Sequence, residues 1–374
     1  MKIGILTLPP RANYGGILQA YALQTTLKTM GHEVFLIRDN RCYSLPLWKA
    51  PLSYTKRAII KYVFRRPNAR IFCEQEQKVI TQHTRSFVEQ YITPQVDRKD
   101  ISKQYTNGEL DAIVVGSDQI WRPKYFYGDI KNAYLVFVEK WNIKRIAYAA
   151  SFGVSEWEYS KRQTQSCKEL VQRFDAVSTR EDQGVVLCKQ YFGIDAQHVL
   201  DPTMLLDKEE YIRLFDTFLL PTSNGKLLVY FLDQSSEKEE MIEYISKQTN
   251  HAPFKANQLL ERKSSPLNEN ILPPVEQWLK GFYESEFVLT DSFHGCVFSI
   301  LFNKPFIVIG NKDRGMARFY SLLKQFGLER QLVHSLREVE NRPRLFSGNW
   351  DQVNNRLSQA REQSNEFLRK ALNQ

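Results

Sequence analysis

A short apolar run, a loop, a helical repeat and a second apolar run succeed one another within the first 40 residues. Lys2 to Thr7 forms the first run, and Leu8 to Gly15 is a loop rich in Pro, Asn and Gly. From Gly16 to Met30, the residues Ile17, Leu18, Ala20, Tyr21, Leu23, Leu27 and Met30 recur at roughly helical spacing. Gly31 is placed to end that helix, and Val34 to Ile37 is the next strand. This is a βαβ unit. It commits the chain to a parallel sheet with helices packed outside it.

The pattern continues after an irregular stretch over about residues 41–105, read as an insertion with one or two helices, such as Ala69 to Tyr91. Asp111 to Val115 runs into Gly116-Ser117-Asp118, and Arg145 to Ala150 into Ser151-Phe152-Gly153. Phe174 to Ser178 runs into Thr179-Arg180-Glu181, and His198 to Leu200 into Asp201-Pro202-Thr203. In open α/β sheets ligands sit at the carboxyl ends of strands, so these polar clusters are the places to search. At 374 residues the chain exceeds one ordinary core, and two domains are expected. The boundary is placed at Asp201-Pro202. That gives an N-terminal Rossmann-like domain over 1–201 and a second over 202–350. The second has strands at Lys226 to Leu232, Phe287 to Thr290 and Pro305 to Ile309. Its helices are predicted at Ser236 to Thr249, Pro274 to Tyr283 and Gly295 to Phe302. Residues 351–374 are a polar helix whose stripe of Val353, Leu357, Ala360, Phe367 and Leu368 suits packing across the domains.

Composition narrows the class. A formal charge of +9 favours anionic ligands or surfaces. Lys56, Arg57, Lys61, Arg65, Arg66 and Arg70 cluster, either as a solvated helix face or as a dock for lipid headgroups or a polyanionic acceptor. No nucleic-acid-binding signature is present. Cys42, Cys73, Cys167, Cys188 and Cys296 are scattered and lack a CxxC pair, which points to reduced thiols in the cytoplasm. The N-terminal apolar run is too short for a signal peptide, and no run is long enough to span a membrane. The histidines show no HxH, HxxxH or HExxH spacing, so no metal is expected.

Asp291-Ser292-Phe293-His294-Gly295 is the sharpest segment. A buried strand ends at Thr290, Asp291 or Ser292 can cap the next helix, and His294 falls in or beside its first turn. Free backbone N–H groups there favour an anion, and a neutral imidazole there can act as base or hydrogen-bond donor. A local capping role accounts for the same residues. One strand later, Lys312, Arg314 and Arg318 lie in a Gly-containing loop suited to phosphate or carboxylate, or to a solvated turn. Arg180 is placed to reach an anion or to pair with a neighbouring carboxylate. In the first domain, Asn13, Tyr14 and Gly15 sit at a strand-to-helix turn that lacks the GxGxxG spacing. Ser117, Asp118 and Trp121 offer polar groups and an indole suited to a sugar, though Ser and Asp also cap helices.

Taken together, Asn13-Tyr14-Gly15-Gly16-Ile17-Leu18-Gln19, Gly116-Ser117-Asp118-Gln119-Ile120-Trp121, Ser178-Thr179-Arg180-Glu181, Asp201-Pro202-Thr203 and Asp291-Ser292-Phe293-His294-Gly295 occur in the order seen in polysaccharide pyruvyl transferases. The chain resembles that family over roughly residues 1–330. The resemblance implies a GT-B-like fold: two Rossmann-like domains facing a cleft, with a C-terminal helix crossing back. It implies transfer of the enolpyruvyl group of phosphoenolpyruvate to two sugar hydroxyls, with phosphate released and no cofactor. It further implies a lipid-linked or cell-wall glycan acceptor, and contact with the inner membrane face is compatible with it. By the resemblance His294 and Arg180 would contact the donor; Ser292, Lys312 and Arg314 join them by position alone, since the loop that carries Lys312 and Arg314 departs from the family pattern. Asp118, with Asn13, Tyr14, Gly15, Ser117 and Trp121, would face the acceptor. His294 and Asp118 are the catalytic candidates, and no residue is assigned as the acid for C3 of the donor. A glycosyltransferase of similar fold using a nucleotide sugar is the alternative, and a glycan-binding or scaffold protein is a third reading.

Overall fold

The computed structural model describes all residues except 40–48, 65–70, 257–266, 311–314, 343, 347 and 374. Two parallel sheets organise it. The first contains β1 (Lys2–Leu6), β2 (Glu33–Arg38), β3 (Gln95–Asp97), β4 (Ala112–Val115), β5 (Lys144–Ala150), β6 (Ala176–Thr179) and β7 (Gln197–His198), in the order β3-β2-β1-β4-β5-β6-β7. The second contains β8 (Leu227–Tyr230), β9 (Pro253–Lys255), β10 (Phe287–Thr290), β11 (Phe306–Ile309) and β12 (Leu332–Val333), in the order β12-β11-β10-β8-β9. Their central strands are apolar throughout and covered by helices on both faces: Ala112–Val115 and Phe287–Thr290 are buried at every position. The first order is the doubly wound Rossmann pattern with one added edge strand, and the second is the flavodoxin-like pattern. Each reverses direction once, between β1 and β4 in the first sheet and between β8 and β10 in the second. A crevice opens at the carboxyl ends of the strands at such a reversal.

The two domains meet along a dense seam. Tyr14 stacks on Trp278 with ring centres 5.4 Å apart, and its hydroxyl donates to the Pro273 carbonyl at 2.9 Å. Ser321 Oγ accepts from the Asp182 N–H at 3.0 Å and lies 3.2 Å from His198 Nε2. The helix Trp350–Asn373 then crosses back to the first domain. Ser364 Oγ accepts from the Leu200 N–H, Lys144 Nζ donates to the Leu372 carbonyl, and Phe367 packs on Tyr148. This is a GT-B-like arrangement.

Several local expectations change. The first helix, α1, is Tyr14–Thr29, so Tyr14 and Gly15 lie within its first turn rather than in the loop before it. The stretch over 41–105 supplies β3 to the main sheet; it is too short and polar to register as a strand in the sequence. The helix expected from Ala69 to Tyr91 is two helices, Cys73–Ile80 and Gln82–Tyr91, broken at Thr81. The helix expected from Gly295 starts at Phe293.

Trp278 is fully buried between Tyr14, Tyr230, Phe282 and Phe298. Trp278→Ala is expected to lower the unfolding free energy by about 3–5 kcal/mol, measured by chemical denaturation. A loss within about 1 kcal/mol would show that this stack does not hold the domains together.

Candidate functional site

The strand end after β10 builds the centre of the site. Thr290 Oγ1 donates to the Tyr230 carbonyl and accepts from the Ser292 N–H, which fixes the turn. Asp291 is a pin rather than a reactive group. Its Oδ1 accepts from the Leu232 N–H at 2.8 Å and its Oδ2 is 2.6 Å from Lys238 Nζ. Burial pushes the Asp291 carboxyl up, with Lys238 opposing. Ser292 caps the helix Phe293–Leu301, its Oγ accepting from the Gly295 N–H at 3.4 Å. His294 therefore lies in the first turn of that helix, in the crevice of the second sheet.

From the first domain, α1 brings its own first turn against this imidazole. A Cβ on Gly15 would lie 1.9 Å from His294 Nδ1, so only glycine permits the approach. Arg180, after β6, comes from the same side. Its guanidinium carbon is 4.5 Å from the ring centre of Phe293, and Arg318 stands over the same ring at 5.5 Å.

Asp201 ties the groups together. Arg180 Nη1 donates to Asp201 Oδ2 at 2.7 Å, and the Thr203 N–H and hydroxyl donate to Oδ1 at 3.0 and 2.6 Å. His294 Nε2 is 3.7 Å from Oδ2, beyond hydrogen-bond reach. Burial alone would raise the Asp201 carboxyl, yet His294 and Arg180 beside it hold it well below the usual carboxylate range. Arg180 is pushed the other way: burial opposes its charge, but Asp201, Asp118 and Glu181 raise it. Burial, then the neighbouring Arg180, pulls Arg318 down to about 10. Asp118 Oδ1 is 3.6 Å from Arg180 Nη2, and Asp118 is 7% exposed. Glu181 Oε1 accepts from the Phe152 and Gly153 N–H groups. Arg180 Nε and Nη2 and His294 Nε2 are buried without a hydrogen-bond partner among the described residues.

The structure brings together Gly15, Asp118, Arg180, Ser292 and His294, and corrects the placing of others. Trp121 is fully buried and stacked on Tyr134, with its indole N–H on the Ala133 carbonyl, so it cannot present a face to a sugar. Tyr14 is likewise interior, its ring on Trp278 in the domain seam. Ser117 is fully buried, its hydroxyl 3.0 Å from the Ala149 carbonyl and 3.4 Å from Asp201 Oδ2, so it braces Asp201 from the interior rather than facing an acceptor. Asn13 remains exposed at the start of α1. Arg318 belongs to the helix Ala317–Phe326 rather than to the preceding loop. Lys312 and Arg314 lie outside the described residues. Sequence reasoning alone gives no role to Asp201 or Phe293. The Asp-Pro-Thr segment at a strand end is the signal for Asp201, whereas Phe293 has the pattern of a core residue.

The fold and cleft define a two-domain α/β protein of GT-B-like architecture with an anion-suited site between its sheets. The sequence matches the family model described as polysaccharide pyruvyl transferase over residues 13–313. The chain belongs to the polysaccharide pyruvyl transferase family. No curated protein sequence matches it. Among solved structures it is similar to a UDP-N-acetylglucosamine 2-epimerase from Rickettsia bellii, at 9% identity over 100% of this chain and 97% of that chain, TM-score 0.49. A UDP-GlcNAc 2-epimerase from Methanocaldococcus jannaschii in complex with UDP-GlcNAc and UDP is 15% identical over 95% and 98%, TM-score 0.48. MurG of Acinetobacter baumannii is 9% identical over 96% and 94%, TM-score 0.42.

Because the Asp201 carboxyl is lowered on folding, its stabilising contribution is complete above the unfolded value of about 3.9 and is lost as pH falls below it. Asp201→Asn is expected to cost about 3–5 kcal/mol at pH 7 by leaving Arg180 buried without its countercharge. Denaturation of both proteins across pH should show that gap narrowing below about pH 4. A gap that does not change with pH would mean that the carboxylate charge is not what Arg180 requires.

Proposed function

We propose that the chain transfers the enolpyruvyl carbons of phosphoenolpyruvate onto two hydroxyls of a sugar in a polysaccharide precursor, forming a pyruvate ketal and releasing phosphate. One observation carries this reading. Arg180 and His294 are buried polar groups with open hydrogen-bonding atoms, brought side by side from two domains beside a helix N-terminus. Buried groups of this kind call for a partner, and a small ligand with carboxylate and phosphate suits them.

Transfer requires a proton on C3 of the enol, which leaves C2 electron-poor. The first sugar hydroxyl adds its oxygen to C2 and gives up its proton. Phosphate leaves with the C2–O electron pair, and the second hydroxyl closes the ketal, losing its own proton. One of the two released protons balances C3 and the other goes to phosphate. Arg180, with Arg318 nearby, would hold the anionic groups, and the planar guanidinium of Arg180 offers Nε and Nη2 to one oxyanion pair. Lys312 and Arg314 would add cations on the donor side. His294 would act as the base for a hydroxyl or as a hydrogen-bond partner of the donor. Asp118, on the first-domain side, would orient or deprotonate the acceptor, with Asn13 at the rim. Ser292 would serve the donor site by holding the helix start in place.

Phosphate release from phosphoenolpyruvate with a panel of lipid-linked galactosyl, glucosyl and N-acetylmannosaminyl acceptors tests this. His294→Ala is expected to lower turnover by about 10²–10⁴-fold while leaving the fold intact, read by circular dichroism. Turnover at the wild-type level would overturn the assignment. Thermal stabilisation by UDP- or GDP-sugars, with none by phosphoenolpyruvate, would replace the reading with sugar transfer from a nucleotide.

A further inference from the structure

The helix α2 (Ala50–Tyr62) is built inside out for a water-exposed element. None of its residues is buried. Leu52 is 78% exposed and Ile59 44%, and just beyond the helix Val63 and Phe64 are 69% and 68% exposed. Leu52, Lys56, Ile59 and Val63 recur at intervals of four, three and four, which places them on one stripe of a helix. That stripe points outward. The inward side is where Arg57 Nη1 donates to the Ile71 carbonyl at 3.0 Å and Tyr54 meets Phe72 with ring centres 5.1 Å apart. Scattered surface leucines need no explanation, but an apolar stripe facing away from the body of the protein does.

Charge decides what covers it. Between Asp39 and Glu74 the sequence contains no acidic residue and eight Lys or Arg. Interfaces between soluble proteins deplete lysine at their centre, whereas here Lys56 sits between Leu52 and Ile59 on the outward stripe. Aliphatic side chains interleaved with lysines match the boundary of an anionic bilayer, where the chains enter the acyl edge and the ammonium groups stay with the headgroup phosphates. No helix among the described residues is long and apolar enough to cross a membrane, so α2 would lie in the plane of the surface. We propose that α2, with Val63 and Phe64 just beyond it, forms an in-plane docking element for anionic lipid membranes. It follows β2 in the chain, and the carboxyl end of β2 lies on the same side of the parallel sheet as the residues after β1 and β4, Gly15 and Asp118 among them.

The test is co-sedimentation of the full chain with phosphatidylcholine vesicles, with and without phosphatidylglycerol, and no donor or acceptor added. Failure of the transfer reading therefore leaves the result intact. The protein is expected to sediment with the anionic vesicles, to be released as salt rises, and to stay in solution with phosphatidylcholine alone. The double variant Leu52→Glu with Ile59→Glu is expected to weaken sedimentation at least about tenfold at an unchanged melting temperature. Wild-type protein that ignores anionic vesicles, or sedimentation unaffected by the double variant, would overturn the proposal. So would concentration-dependent dimerisation that the double variant abolishes, which would make the stripe a contact between copies of the chain. Capture by soluble dextran sulfate as strong as by vesicles, and insensitive to Leu52→Glu, would reduce the element to an anion patch and also overturn it.

Discussion

The arrangement at the cleft depends on the buried pair of Arg180 and Asp201. Removing two charges from water costs several kcal/mol per ion in real proteins. Such a pair persists only when its remaining hydrogen-bonding capacity is met. Here it is met on one side. Asp201 receives Arg180, the Thr203 hydroxyl and the Thr203 N–H, so both oxygens are used. Arg180 uses Nη1 and keeps Nε and Nη2 without a hydrogen-bond partner among the described residues, although Asp118 Oδ1 stands 3.6 Å from Nη2. The carboxylate is saturated and the guanidinium is not. An incoming anion would therefore compete with little at Asp201 and find donors already oriented at Arg180. The guanidinium carbon of Arg180 lies 4.5 Å from the Phe293 ring centre, and the same helix start carries His294.

Sheet order explains why these residues meet. Arg180 follows β6, Asp118 follows β4, Gly15 follows β1 and His294 follows β10. All four stand at carboxyl ends of parallel strands. The first sheet reverses between β1 and β4, the second between β8 and β10, and the seam presses the two crevices together. Gly15 marks how tightly, since a single methyl there would occupy the imidazole. The buried Tyr14–Trp278 stack lies one residue away, in the seam between the domains.

Much of this was legible in the sequence because strand ends carry a local signature. Apolar runs ending at Gly, Ser, Asp or Arg can be read without any tertiary knowledge, and they located Asp118, Arg180 and His294. What was not legible depends on which side of a strand end faces the cleft. Trp121 and Asp118 lie three residues apart in one motif, yet one enters the core against Tyr134 and the other borders Arg180. Tyr14 and Gly15 are neighbours, but a helical step of about 100° sends one into the seam and leaves the other against His294. Edge strands such as β3 and β9 were missed for a related reason. They are three residues long and owe their state to the neighbour they pair with, not to their own composition.

A site assembled in this way couples ligand binding to the relation between the domains. Arg180 belongs to the first domain and His294 to the second, so an anion touching both gains its full interaction only at the separation the seam sets. A ligand shifts such an equilibrium by no more than its differential affinity for the two arrangements. The seam already supplies most of that positioning: the stack, the Ser321 contacts and the crossing helix hold it at three separate points. Binding energy is then available for orienting reactants rather than for closing the cleft. A cleft of this form would then suit the proposed transfer, in which one electron-poor carbon must meet two hydroxyls in succession.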